Sequence, residues 1–323
     1  MPLFLLTGPR HTAPMQSTSR YPIGTPGQPW GDAERALWHS QQRCQRSYAD
    51  DVLTVIESLR SRFDVQAYGE LNYPPDRYPL YALCSRNPQP GRPTVLVTGG
   101  VHGYETSGVH GALRFLDRHA EHYQARVNLV VVPCVSPWAY ERIHRWNPQA
   151  VDPNRSFREP SPAPEAAALM RYMQPLVPAV QLHIDLHETT DTDESEFRPA
   201  LAARDGKDSE PELIPDGFYL VGDSANPQLE FQSAVIAAVA AVTHIAPADA
   251  GGQIIGSPVV APGVILYPCR PLGLCAGLTD ARYTTTTEVY PDSPRANPEQ
   301  CNTAQATAVC AAIDYLLAHP LSA

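Results

Sequence analysis

The sequence lacks a Cys-x-x-Cys pair and any long apolar run, and each absence excludes a class of protein. Its seven cysteines are odd in number and irregularly spaced, which is typical of free thiols in a reducing compartment rather than of a disulfide framework. The apolar stretch at the start is shorter than the roughly 7–15 residues of a secretory signal. No stretch approaches the ~20 residues needed to span a bilayer. We therefore expect a cytoplasmic protein with no membrane partner.

Charge is also scarce. Charged residues make up 18% of the 323 residues, and the formal net charge is −10. A negative balance argues against a nucleic-acid partner, because phosphates repel it. Hydrophobic residues, at 43%, suffice for one large core. The sequence gives no indication of the oligomeric state.

Apolar runs alternate with segments of helical spacing along most of the chain. "PTVLVTGG", "VNLVVVPCV", "AVQLHIDLHE" and "YTTTTEVY" predict strands, whereas residues 105–119 and 227–245 predict helices. This alternation favours a single α/β domain with a mixed, mostly parallel twisted sheet and helices on both faces. We place the domain at residues 41–323, after an irregular N-terminal extension over 1–40. An acidic insertion at about 189–216 is predicted to be a long loop or lid.

The stretch "GGVHGYETSG" places His102 and Glu105 three residues apart, directly after a predicted strand. Sites in open α/β sheets form at the carboxyl ends of strands, and the glycines permit a tight turn there. Two interpretations are open at this point, namely half of a metal site or a polar loop.

The stretch "HIDLHE" adds His183, Asp185 and His187. Alternate residues of a strand share a face, so these three side chains would point the same way. A catalytic zinc site uses three protein ligands such as two His and one Glu, and His102, Glu105 and His187 supply that set. Asp185 is better placed to orient a ligand. In the alternative interpretation, His183 and Asp185 satisfy each other in the core.

Two further features carry charge in unusual places. In "VDPNRSF", Asn154 and Arg155 lie in a Pro-bracketed loop, where a guanidinium could bind a carboxylate bidentately. An ordinary solvated turn is the alternative. Glu288, in "TTTTEVY", is a lone carboxylate in a β-branched run. It is either paired in the core or placed over a pocket as a base.

These motifs, in this order, resemble those of the zinc carboxypeptidase family, over roughly residues 48–318. The resemblance implies a zinc carboxypeptidase-like (phosphorylase/hydrolase-like) fold and one Zn²⁺ per chain. It also implies these roles: His102, Glu105 and His187 as metal ligands, Glu288 as general base, Arg145 as stabiliser of the oxyanion, Asn154 and Arg155 as the carboxylate clamp, and Tyr267 as a residue that closes over the substrate.

The resemblance implies a metallocarboxypeptidase that acts on a peptide with a free C-terminal carboxylate. A related branch, the succinylglutamate desuccinylase and aspartoacylase deacylases, shares the same motifs but removes acyl groups from amino acids. An N-acyl amino acid deacylase is therefore the alternative function. No acidic residue stands near Gly273 and Leu274, which disfavours a basic C-terminal residue, although the acidic insertion could reverse that preference.

Three other interpretations compete with this one. "GLCAG", residues 273–277, matches a nucleophile elbow with cysteine, but it lacks the strand before and the helix after that this motif requires. "HETTDTDESE" could bind a second cation through oxygen ligands, or form a solvated acidic loop. A binding protein with a degenerate site would have lost a ligand or the base, and here all are present.

Overall fold

An eight-stranded mixed sheet lies at the centre of the computed structural model, which describes residues 21–209 and 211–320. A two-stranded hairpin, β7 and β8, forms a separate small sheet. The strands are β1 Asp64–Tyr73, β2 Asp76–Cys84, β3 Thr94–Gly99, β4 Asn128–Val132, β5 Val180–Glu188, β6 Tyr219–Asp223, β7 Gln253–Ile254, β8 Ser257–Pro258, β9 Val264–Tyr267 and β10 Tyr283–Val289.

The spatial order of the large sheet is β1-β2-β4-β3-β5-β10-β6-β9. Neighbours from β4 through β3 and β5 to β10 are parallel, and so are β6 and β9. β1, β2 and β4 pair antiparallel, as do β10 and β6. The predicted mixed sheet of a single α/β domain is therefore confirmed.

Helices cover both faces of this sheet. Within the described residues, none combines the length and the apolar character needed to cross a bilayer. The helices are α1 Asp32–Gln41, α2 Thr54–Leu59, α3 Thr106–Arg118, α4 Ala120–Tyr123, α5 Pro137–Arg142, α6 Pro164–Met173, α7 Arg198–Asp205, α8 Leu229–Val239 and α9 Pro298–Ala318.

The alternation of side chains along β3 shows why two helical layers form. Val95 and Val97 belong to the core that contains Val309 of α9. Leu96, between them, belongs to a second core that contains Leu169 of α6. A strand with apolar residues on both faces exposes apolar surface unless both faces are covered.

The N-terminal extension is not irregular throughout. Residues 1–20 lie outside the described part, but α1 follows, and its Trp38 is fully buried. The Trp38 ring lies 6.4 Å from that of Trp138 and 5.6 Å from that of Trp146, between centroids. Burial of so large an apolar ring joins this part of the extension to the rest of the domain, which composition alone could not reveal.

Much of the acidic insertion is helical rather than a loop. A π-helical turn, Asp193–Phe197, continues directly into α7, which has Pro199 in its first turn and Gly206 after its end with φ of 66°. Proline at the start, alanines within and a left-handed glycine at the end are typical helix signals. The many acidic residues obscured them in the sequence.

The carboxyl ends of β3, β5 and β10 meet at one edge, because these neighbouring strands are parallel. His102 and Glu105 follow β3, His187 lies near the end of β5, and Glu288 lies near the end of β10. The sheet topology thus gathers the candidate residues at one place, as expected for an open α/β sheet.

Gly103 lies in the turn between β3 and α3 and packs against α5. A Cβ atom here would lie 2.0 Å from the backbone carbon of Ala139. We expect Gly103→Ala to lower the free energy of unfolding by about 1–3 kcal/mol, because backbone atoms cannot move aside easily. Urea denaturation measures this change.

Gly69→Ala is the matched control. Its Cβ would meet its nearest neighbour at 3.5 Å, an ordinary contact, and we expect a change below about 0.5 kcal/mol. A Gly103→Ala protein as stable as the wild type would contradict the tight packing of this turn.

Candidate metal centre

Three buried side chains converge at this edge of the sheet, namely His102, Glu105 and His187. Each offers one nitrogen or oxygen atom, and these atoms all lie within 4.8 Å of one another. Their exposed fractions are 2%, 1% and 1%. The structure therefore brings together the three residues that the sequence analysis predicts to be ligands.

Carboxylates hold the two imidazole rings in matching orientations. Nε2 of His102 lies 2.9 Å from Oδ1 of Asp152, and Nε2 of His187 lies 2.7 Å from Oδ2 of Asp185. A ring whose Nε2–H donates to a carboxylate keeps a lone pair on Nδ1. Nδ1 of each ring lies 2.7 Å from a different oxygen of Glu105. Both Nδ1 atoms therefore face the Glu105 carboxylate.

These donors fit a divalent metal ion. Oε2 of Glu105 is buried and lies 2.7 Å from Nδ1 of His187, but it has no hydrogen-bond partner of acceptable geometry among the described residues. Two imidazoles and one carboxylate form a usual donor set for catalytic zinc, and carboxylates that orient the imidazoles are a usual second layer. His102, Glu105 and His187 could hold one ion.

Ionised carboxylates surround the imidazoles. Burial by itself raises the pKa of Glu105, but the positive charge that the imidazoles of His187 and His102 carry when protonated outweighs burial and lowers this pKa to about 2. Burial also opposes ionisation of Asp152, yet Arg145 and His102 hold its pKa well below the usual range. Because buried negative charge is costly unless compensated, a cation between the imidazoles would stabilise this arrangement.

Asp185 makes the contact with His187 that strand alternation predicted. Its other oxygen accepts a hydrogen bond from Oγ1 of Thr98 at 2.6 Å, and that hydroxyl lies 3.1 Å from Nε2 of His183. His183 and Asp185 therefore interact through Thr98 rather than with each other directly. The Asp185 carboxylate instead forms a direct hydrogen bond with the ring of His187.

Asp152, to which the sequence pattern assigned no role, lies between His102 and Arg145. Its Oδ2 accepts a hydrogen bond from Nε of Arg145 at 3.0 Å. Its Oδ1, besides facing His102, accepts from the backbone amide of Asn154 at 2.8 Å and so caps the 3₁₀ turn Pro153–Arg155. The capping position, two residues before Asn154, was the signal available in the sequence.

Arg145 is held by further contacts that the sequence did not reveal. Its Nη1 donates to the phenol oxygen of Tyr104 at 3.2 Å and to Oδ1 of Asp193 at 3.3 Å. Tyr104 in turn donates to Asp193 at 2.9 Å. Nη2 of Arg145 donates no hydrogen bond to any residue that the structure describes.

A cavity of about 500 Å³ adjoins the centre, and its wall includes Arg145, Asp152, Arg155 and Tyr267. Arg155 is exposed, and its guanidinium donates to the backbone carbonyl of Asn154 at 2.8 Å. Asn154 uses its side-chain oxygen to accept from the backbone amide of Cys275 at 2.7 Å. The amino group of Asn154 donates no hydrogen bond to any described residue, so it could bind a further group.

Arginine dominates the charge of the cavity wall. Ion pairs join three of the arginines to carboxylates: Arg145 to Asp152, Arg198 to Glu212 and Arg204 to Asp205. Arg155 and Arg158 form no ion pair within the described part of the chain, so the wall offers unneutralised guanidinium groups to an anion. The arginines of the wall are Arg35, Arg145, Arg155, Arg158, Arg198 and Arg204.

Glu288 is the neighbour of His187 in the register of β10 against β5. One of its oxygens accepts a hydrogen bond from Oγ1 of Thr189 at 2.9 Å. Burial raises the pKa of Glu288 to about 8. A carboxylate with a raised pKa takes up a proton readily near neutral pH.

The competing sites find no support in the geometry. Cys275 of "GLCAG" is buried, burial raises the pKa of its thiol, and it begins the 3₁₀ turn Cys275–Leu278 rather than a nucleophile elbow. Within residues 21–209 and 211–320, the group of potential ligands described above is the only one with three members or more. Asp191 of the acidic insertion accepts instead from the phenol of Tyr290.

Residues 91–208 match a protein family described as the succinylglutamate desuccinylase/aspartoacylase catalytic domain. That range contains the three candidate ligands, Arg145, Asn154 and Arg155, whereas Tyr267 and Glu288 lie beyond it. No curated protein matches the sequence.

Solved structures of metallopeptidases share the fold. A proposed metallopeptidase from Shewanella amazonensis is 22% identical, with a TM-score of 0.64 over 85% of this chain and 99% of that one. Another, from Shewanella denitrificans, is 18% identical, with a TM-score of 0.64 over 85% and 96%. A metallo-carboxypeptidase from Pseudomonas aeruginosa, in complex with (2-guanidinoethylmercapto)succinic acid, is 18% identical, with a TM-score of 0.56 over 83% and 68%.

The solved structures bear on the fold alone, whereas the family match bears on the region that contains the candidate ligands. Over residues 91–208 the chain is therefore similar to the succinylglutamate desuccinylase/aspartoacylase catalytic domain, and its fold is similar to that of the metallopeptidases above.

Proposed function

We propose that the protein is a zinc-dependent metallocarboxypeptidase that hydrolyses the C-terminal amide bond of a peptide. The observation that supports this most is the convergence of His102, Glu105 and His187 beside Glu288, next to an arginine-lined cavity. Two nitrogens and one carboxylate suit zinc and leave a position for water. Calcium and magnesium prefer oxygen ligands throughout.

Glu288 and Arg145 have separate roles in the proposed reaction. When bound, zinc supplies a water of lowered pKa and polarises the scissile carbonyl. Glu288 takes up the proton of the attacking water and passes it to the leaving nitrogen, and burial, which raises its pKa, favours that uptake. Arg145 offers Nη2 to the negative charge that develops on the carbonyl oxygen.

The substrate's free carboxylate binds on the cavity side of the centre. Arg155 and the amino group of Asn154 supply donors for it, and a guanidinium matches a carboxylate in both charge and shape. Tyr267, also on the cavity wall, closes over the bound substrate.

An N-acyl amino acid deacylase is the second candidate, and the family match over residues 91–208 favours it. Its substrate also has an amide bond next to a free carboxylate, so the same residues would serve. Arg155 and Arg158, which lack ion pairs in the described part, would suit an acyl amino acid with two carboxylates.

Substrate scope distinguishes the two candidates. We expect the zinc-loaded protein to release C-terminal residues from N-blocked dipeptides and to leave N-acetyl and N-succinyl amino acids intact. Dipeptides with an amidated C-terminus are the matched control, and we expect no hydrolysis of them. Cleavage of acyl amino acids alone would select the deacylase. No chelator-sensitive hydrolysis of either set would contradict both.

Glu288→Gln tests the base. We expect kcat to fall by about 10²–10⁴-fold, because an amide cannot accept the proton, while zinc content measured by elemental analysis stays at one per chain. Glu230→Gln, an exposed position on α8, is the control and should keep wild-type turnover. An active Glu288→Gln enzyme would show that another group is the base.

Asp185→Asn tests the orientation of His187. We expect zinc affinity to fall about 10–100-fold, because the amide holds the ring less firmly and lowers its basicity. Competition with a chelating dye measures the affinity, and Asp191→Asn in the acidic insertion is the control. Equal affinities for the two variants would argue against a metal at this centre.

A further inference from the structure

Among the acidic residues of the π-helical turn, Asp193 is the one that contacts Arg145 and Tyr104, beside the metal centre. It begins the turn Asp193–Phe197, and its exposed fraction is only 8%. Its Oδ2 accepts a hydrogen bond from the backbone amide of Thr190 at 2.8 Å. The start of the turn is therefore fixed by the same side chain that contacts Arg145.

The other acidic residues of this turn make different contacts. Glu194 pairs with Arg198 at 3.0 Å, and Glu196 accepts from the phenol of Tyr21 at 2.7 Å. Within the described residues, neither of these carboxylates contacts Arg145 or Tyr104. Asp193 differs from them in both burial and partner.

Asp193, Tyr104 and Arg145 form a closed triangle of hydrogen bonds. Asp193 accepts from the Tyr104 phenol at 2.9 Å and from Nη1 of Arg145 at 3.3 Å, and the phenol oxygen accepts from the same Nη1 at 3.2 Å. The ring of Phe197 packs on that of Tyr104, with centroids 4.5 Å apart. Phe197 ends the π-helical turn that Asp193 begins, so the same turn also packs against the triangle.

Arg145 is consequently held at two of its three nitrogens. Asp152 fixes Nε at 3.0 Å, and the triangle fixes Nη1. Nη2 is the nitrogen left without a partner among the described residues, and Arg145 lines the cavity. A long side chain loses much conformational freedom when it is ordered, so ordering it before the substrate binds removes that cost from the reaction.

We propose that Asp193 is a positioning residue, which holds Arg145 through this triangle so that Nη2 faces the substrate carbonyl. The proposal rests on the proposed function, in which Arg145 stabilises charge on that oxygen. The opposite role would be inhibitory, with the Asp193 carboxylate competing with substrate for the guanidinium. The two roles predict opposite effects when the carboxylate is removed.

Kinetics of Asp193→Asn separate the two roles. Asparagine keeps the size of the side chain and one acceptor oxygen but lacks the charge. We expect kcat to fall by about tenfold to hundredfold, less than the loss of a whole oxyanion donor costs. KM should change by less than about threefold, because the carboxylate clamp is untouched. Glu196→Gln, an equal loss of charge in the same turn, should leave both constants unchanged.

Three kinetic outcomes would overturn the proposal. A rise in kcat would show that Asp193 inhibits, a rise in KM at constant kcat would show that it acts on binding, and no change would show that it is dispensable. Thermal unfolding of each variant verifies folding. If Asp193→Asn does not fold, Tyr104→Phe replaces it, since it removes another corner of the triangle, and we expect the same fall in kcat.

A second measurement does not depend on activity. The ¹⁵N–¹H resonance of Arg145 Nη1, identified by its loss in Arg145→Lys, should exchange slowly with solvent in the wild type and in Glu196→Gln. We expect a shift and faster exchange in Asp193→Asn, and an unchanged resonance would overturn the proposal. If the wild type hydrolyses no substrate, the proposed function fails, and this resonance alone decides whether Asp193 fixes Arg145.

Discussion

The fixed orientation of two imidazole rings determines the geometry of this edge of the sheet. Asp152 and Asp185 each hold the Nε2 of one ring, at 2.9 and 2.7 Å, so that both Nδ1 atoms face the carboxylate of Glu105. Hydrogen bonds to buried carboxylates are strong and directional, and they set which nitrogen keeps its lone pair. This arrangement brings the donor atoms together and buries negative charge that a cation would compensate. It also fixes the position of Arg145, which donates to Asp152.

A second layer of buried hydrogen bonds fixes the elements that supply these side chains. The carboxylate of Glu188 accepts from the first two backbone amides of α3, at 3.0 and 2.7 Å, and so joins the residue after His187 to the helix after Glu105. Gln305 of α9 donates to the backbone carbonyl of His187 at 2.7 Å and accepts from Thr287, which precedes Glu288. Strands β5 and β10 and helix α3 are thereby locked together behind the centre, which suits a site that needs a preorganised geometry.

Much of this arrangement could be predicted from local sequence, and the rest could not, for identifiable reasons. His102, Glu105, His187 and Glu288 all stand at the ends of predicted strands, and parallel topology brings such ends together. The roles of Asp193 and Tyr104 depend on contacts between residues 89 apart in the chain, which no local pattern encodes. The sequence pattern predicts a loop in place of helix α7, because charged residues stand among its alanines. The burial of α1 depends on tryptophans about 100 residues away.

We propose that the two Nδ1 atoms and the Glu105 carboxylate bind one zinc ion. Anomalous diffraction from crystals of the zinc-loaded protein, recorded on both sides of the zinc absorption edge, tests it most directly. We expect a single strong peak per chain between Nδ1 of His102, Nδ1 of His187 and the carboxylate of Glu105, present above the edge and absent below it. A peak at another site, or a hydrogen-bonded centre without any peak, would contradict it.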